Sequence, residues 1–214
     1  MLFVDKDGWV NNPIITTEPR PMIEHEPIGS IRAVVLHRTA TANANSVLNA
    51  WNTQNEGAHF LISELGNIYQ TASLKRQCWH VGKIYARCRT TGTCTEQDAK
   101  YLEGILRKKN TNWGSKFILI TKHELSKNYP QRFPHNHDSL GIEVVGEIKS
   151  NCEIYEMPSQ LQLKSVIWLL DELVATYGFS LKDIYAHGKI AHKNKSEGVL
   201  LLKAYTIHKQ REAK

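Results

Sequence analysis

Residues 31–37 of the chain read IRAVVLH. After Arg32 no polar residue interrupts the run until the final histidine. A stretch with no alternation has no face to give to water, so it predicts a strand buried on both sides. Such a strand needs one layer of structure above it and another below. That requirement narrows the chain to folds in which helices cover a sheet.

Other segments fit that demand. AHFLIS and NIYQTA read as a hairpin, with Gly66 and Asn67 supplying the turn. FILIT (117–121) and SLGIEVVGEI (139–148) read as further strands, and another over about 182–187 ends at His187. Asn45 is a candidate cap for a short helix through Val47, Leu48 and Trp51. A helix over about 96–109 places Leu102, Ile105 and Leu106 on one face. The strongest helix is PSQLQLKSVIWLLDELVATYG, with Pro158 in its first turn, Gly178 at its C-terminal cap and Val166, Leu169, Leu170, Leu173 and Tyr177 as its stripe. Residues 199–210 read as a last helix. Strands alternating with helices give an α/β class with one largely buried sheet. Residues 1–30 hold four of the seven prolines and read as an extended N-terminal arm, with the domain proper over 31–214.

The charge balance narrows the partners. A formal charge of +6 favours anionic ligands, including the carboxylate-bearing polymers of a cell wall. No basic module interleaved with aromatics is present, which argues against nucleic acid. No apolar stretch approaches the ~20 residues of a membrane span. The start, MLFVDKDGWVNN, lacks the basic and apolar regions of a secretory leader. Cys78, Cys88, Cys94 and Cys152 contain no CxxC pair, which speaks against a zinc knuckle. They are thiols in a reducing compartment; in an oxidising one they close one or two disulfides.

The chemistry collects at strand ends. IRAVVLH ends at His37 and DIYAH at His187, and sites in α/β sheets are built at such ends. The loop after the second strand, HGKIAHKNKSEG, supplies Glu197 as a third donor, with His192 as the alternative. Two imidazoles and a carboxylate suit a catalytic zinc ion, which takes three protein ligands and keeps one position open. In an extended segment Lys195 and Glu197 face the same way, which would set a cation beside that ion. Glu143 lies in an apolar strand, where an unpaired carboxylate is costly unless it has a task.

VVLHRTAT, AHFLISELGNIYQ, CWHVG, SLGIEVVGE and the His187 loop follow one another in this order. In this the chain resembles the zinc-dependent N-acetylmuramoyl-L-alanine amidases, the family of phage lysozyme-type amidases and peptidoglycan recognition proteins. The resemblance covers about residues 31–200. It implies a mixed central sheet flanked by helices, with a zinc ion at one rim and an insertion at about 83–137. It implies hydrolysis of the amide joining N-acetylmuramic acid to L-alanine in peptidoglycan or muropeptides. It implies His37, His187 and Glu197 as zinc ligands, Glu143 as catalytic base, and Lys195 and Tyr69 as catalytic neighbours. Trp79, His80 and His59 are the expected groove residues, His59 equally a packing residue. The family's third ligand is usually Asp followed by Pro-Gly; here Glu197 is followed by Gly198 and Val199. The competing reading is a non-catalytic peptidoglycan-binding module of the same fold. The expected place of action is the periplasm or cell wall after delivery without a leader, with cytoplasmic recycling as the alternative. A delivered toxin would also have an immunity protein as partner.

Overall fold

In a computed structural model of the chain, residues 1–149 and 153–212 are described. Ten strands and seven α-helices follow one another along them. The first part runs β1 (Ile15–Thr17), β2 (Glu24–Pro27), β3 (Ala33–Arg38), α1 (Ala44–Ala50), β4 (Phe60–Ile62), β5 (Ile68–Gln70) and β6 (Arg76–Cys78). Three helices follow, α2 (Arg87–Thr91), α3 (Glu96–Leu106) and α4 (Trp113–Leu125). Then come β7 (Ser139–Val144), β8 (Ile148–Lys149), β9 (Ile154–Tyr155) and α5 (Gln160–Tyr177). The chain closes with β10 (Ile184–Ala186), α6 (His187–Ile190) and α7 (Val199–Glu212).

The main sheet has the order β1-β5-β4-β7-β3-β10. Only the β4–β5 hairpin is antiparallel; every other neighbour pair is parallel. β3 sits deep in it, between β7 and β10, and all six of its residues are buried. The continuous apolar run therefore becomes a strand covered on both faces. On one face Val34, Leu36, Phe60, Ile142 and Val144 pack with Val166, Leu169 and Leu173 of α5 and Leu201 and Tyr205 of α7. On the other, Val35 packs with Val81, Ile84, Phe133 and Ile190. Helix α5 has clear stops at both ends: Ser159 and Gln162 form a reciprocal capping box, and Gly178 takes the left-handed conformation at φ 71°.

Three sequence expectations are corrected. FILIT is not a strand but the middle of α4, because Asn112 caps the segment at Ser115 and the buried residues Lys116, Ile120 and Glu124 recur at helical spacing. Helix α1 is capped by Asn43 rather than Asn45. Residues 1–30 do not form a free arm. Leu2, Val10 and Ile15 are buried in the main core, and β1 is the outermost strand of the sheet, paired with β5. Proline suits a chain running along a sheet edge as well as it suits a tail, because an edge strand leaves amides unused. The region from 83 to 137 holds α2, α3 and α4, with its own small core of Leu102, Ile105 and Ile120. A Cys88–Cys94 disulfide closes the loop after α2, while Cys78 is a buried free thiol. Cys152 lies outside the described residues.

Candidate metal centre

Register places the site. Across the sheet, Tyr69 pairs with Leu61, Leu61 with Glu143, and Glu143 with His37. Residues opposite one another on neighbouring strands point to the same face, so these four form one row. The next strand, β10, pairs Ala186 with Leu36, and His187 follows at once. β7, β3 and β10 are parallel, so Glu143, His37 and His187 gather at their carboxyl ends.

His37, His187 and Glu197 converge there, all three buried. The Nδ1 atoms of the two histidines are 2.9 Å apart, and Glu197 Oε1 is 2.7 Å from His187 Nδ1 and 3.3 Å from His37 Nδ1. The ring protons are fixed by outer partners. His187 Nε2 lies 2.7 Å from the Val81 carbonyl, which only accepts, so Nε2 is a donor, and in the neutral ring Nδ1 is bare. His80 Nε2 lies 3.3 Å from the Ser139 carbonyl and must also donate, which leaves His80 Nδ1 as an acceptor. His37 Nε2, 3.0 Å from that Nδ1, then donates, and His37 Nδ1 is bare as well. The third member is a carboxylate. Burial, and then the neighbouring His187, lower the pKa of His37 to about 4, which keeps its ring neutral near pH 7.

Three lone-pair acceptors thus face one another with no proton between them. A bound cation relieves such a cluster, and two imidazole nitrogens with one carboxylate oxygen are the donor types of a catalytic zinc site. The residues present therefore fit zinc. Glycine makes the packing possible. A Cβ on Gly198 would lie 2.1 Å from the Leu36 carbonyl oxygen, and Gly198 has φ 74°, so this position beside Glu197 tolerates no side chain.

His80 supports His37 from behind and does not line a groove as expected. A His80→Ala protein is expected to bind zinc about 10- to 100-fold more weakly, measured by competition with a chromogenic chelator. His59 is also a correction as a groove residue. It is fully buried and satisfied at both nitrogens, accepting from the Gly141 amide at 3.1 Å and donating to the Arg76 carbonyl at 2.9 Å. Trp79 is 40% exposed and stacks on His25, ring centroids 3.7 Å apart. Of the three, only Trp79 presents a ring at the surface.

Glu143 is partly buried, and its Oε2 is buried with no hydrogen-bond partner among the described residues. Desolvation, and then the Glu197 carboxylate, push its pKa up to about 8, against the opposing pull of Lys193 and Arg38. Tyr69 shares the row, but Leu61 stands between them. Two strand spacings put it roughly 10 Å from Glu143, packed against an apolar cluster with Leu61 and Trp51. The register does not bring it beside the three donors. Lys193 and Lys195 are both exposed, and the lysine whose charge acts on both His37 and Glu143 is Lys193. Residues 194–199 turn where an extended segment was expected: the Glu197 amide donates to the Asn194 carbonyl and the Val199 amide to that of Ser196. In a turn, positions two apart no longer share a face. His192 lies away from the cluster, stacked on Phe117.

A family model described as N-acetylmuramoyl-L-alanine amidase matches residues 27–198. Among solved structures, a mutant endolysin from Bacillus subtilis aligns over 92% of this chain and 96% of its own, at 16% identity and a TM-score of 0.53. The catalytic domain of XlyA gives the same identity and TM-score over 92% and 97%. AmpDh3 from Pseudomonas aeruginosa aligns over 95% of this chain and 66% of its own, at 18% identity and a TM-score of 0.52. At these identities the likenesses establish the fold. No curated protein gives a significant match by sequence.

Proposed function

From the premise that this chain belongs to the N-acetylmuramoyl-L-alanine amidase family and is a peptidoglycan amidase, we propose that His37, His187 and Glu197 hold a zinc ion and that Glu143 is the general base beside it. The observation that carries this is the trio of unprotonated donors, fixed by the Val81 and His80 contacts. When bound, zinc supplies Lewis acidity, which polarises a carbonyl and lowers the pKa of water toward ~7.

The chain's own residues do the rest. Glu143 accepts a proton from the attacking water as the new C–O bond forms at the lactyl carbonyl. It then returns that proton to the alanine nitrogen as the C–N bond breaks, so atoms and charge balance. A base with a pKa near neutrality suits both halves of that exchange, and a cation close by draws it down into range. Lys193 brings positive charge toward the oxygen that becomes negative, the role first assigned to Lys195. Trp79 offers an aromatic face to the sugar or peptide at the mouth of the site. The complete donor set supports catalysis over a binding-only module.

The disulfide supports action outside a reducing cytosol, at the cell wall or in the periplasm. Among the described residues, no helix is long and apolar enough to cross a membrane. The test is digestion of purified sacculi by the zinc-loaded protein, followed by mass spectrometry. Stem peptides with a new free N-terminal alanine are expected. They should vanish with a chelator and return with zinc. Glycan fragments without free alanine would overturn the assignment.

A further inference from the structure

The inserted helices carry a surface that the metal centre does not use. From Gly104 to His123 the chain holds Arg107, Lys108, Lys109, Lys116 and Lys122 and no carboxylate. The nearest acid in sequence, Glu103, is already met by Arg107, one turn along at the end of α3. Lys108 and Lys109 are exposed and pair with no carboxylate among the described residues.

The connection between α3 and α4 gathers this charge around an aromatic ring. Asn110 takes the left-handed conformation at φ 58°, and Asn112 caps α4 at Ser115, so the chain turns within a few residues. Trp113 is then the first residue of α4, and it stands 60% exposed. Lys116 joins the ring to the basic segment. Its Nζ lies 4.8 Å from the centre of the Trp113 ring and donates to the Leu106 carbonyl at 2.7 Å, next to Arg107. Below this tip, Leu102, Ile105 and Ile120 form the packed base of the insertion. The metal cluster lies elsewhere, at the ends of β3 and β10.

Charge and exposure together select the partner. A polyanion in water would use the cations and gain little from an indole. An anionic bilayer uses both. Lysines meet the lipid phosphates, while the indole settles at headgroup level with its apolar body inward and its N–H toward water. We propose that the α3–α4 tip, Arg107, Lys108 and Lys109 with Trp113, docks the protein on an anionic phospholipid surface. The docking does not depend on the amidase activity. For an enzyme that cuts the wall, it concentrates the molecule at the wall's membrane side.

The test is co-sedimentation of the full chain with vesicles of phosphatidylcholine, alone or mixed with an equal share of phosphatidylglycerol. The parent is expected to pellet with the anionic vesicles only, and to leave them as salt rises. Lys108→Glu combined with Lys109→Glu should weaken that binding about tenfold or more, and Trp113→Ser about fivefold. All three positions are exposed, so the core is untouched. A control makes the same charge change at exposed positions elsewhere, Lys182→Glu combined with Lys203→Glu, and should stay within about twofold of the parent. Equal losses in the two double variants overturn the proposal, because net charge alone then accounts for attachment. Parental binding by Trp113→Ser overturns it as well. So does a parent that stays in solution with the anionic vesicles; if it pellets with purified sacculi instead, the wall polymer is the partner of the basic surface.

Discussion

A Glu143→Gln protein is expected to carry as much zinc per chain as the parent while cleaving the muramoyl–alanine amide about 10²- to 10⁴-fold more slowly. The substitution keeps the shape of the side chain and removes its ability to take and return a proton. Glu143 contributes no atom to the trio of His37, His187 and Glu197, so metal content measures one thing and turnover another. The loss should appear in kcat far more than in KM, because proton transfer belongs to the transition state. A glutamine variant with parental turnover would remove Glu143 from the mechanism.

For His37→Ala both readouts should collapse. The ring touches everything at the site: Nδ1 faces His187 and Glu197, and Nε2 hydrogen-bonds His80. Without it, two donors remain where a catalytic zinc ion takes three. The variant should be isolated without metal, and its turnover should fall at least about a thousandfold, to background. It should also lose the gain in melting temperature that added zinc gives the parent, because a ligand stabilises only a fold it binds. Circular dichroism would confirm that the sheet survives. Stoichiometric zinc together with normal hydrolysis in this variant would refute the ligand assignment.

Much of the scaffold was legible because burial leaves a mark on composition. IRAVVLH, the AHFLIS–NIYQTA hairpin and SLGIEVV announced β3, β4, β5 and β7, since strands covered on both faces have little room for polar residues. The two strand-end histidines were legible for the same reason. FILIT misled because five apolar residues look alike in a strand and on a buried helix turn. Only the cap at Asn112 distinguishes them. Lys193 was missed because a turn decides which lysine of HKNK brings its charge nearer the site, and turn geometry depends on contacts such as that between Gly188 and the Asn194 carbonyl. His80 as the support of His37 needed a register between distant segments, which no local pattern encodes. The N-terminal stretch hid its edge strand behind prolines.

The three donors stand at positions 37, 187 and 197, and β3 meets β10 only after the polypeptide between them has folded. A ribosome partway through synthesis therefore carries a protein whose donor trio is incomplete. Nor can a fragment clipped anywhere before Glu197 acquire the metal by itself. On the proposed ligand set, the donor trio is complete only when the segment carrying Glu197 joins β3 and β10.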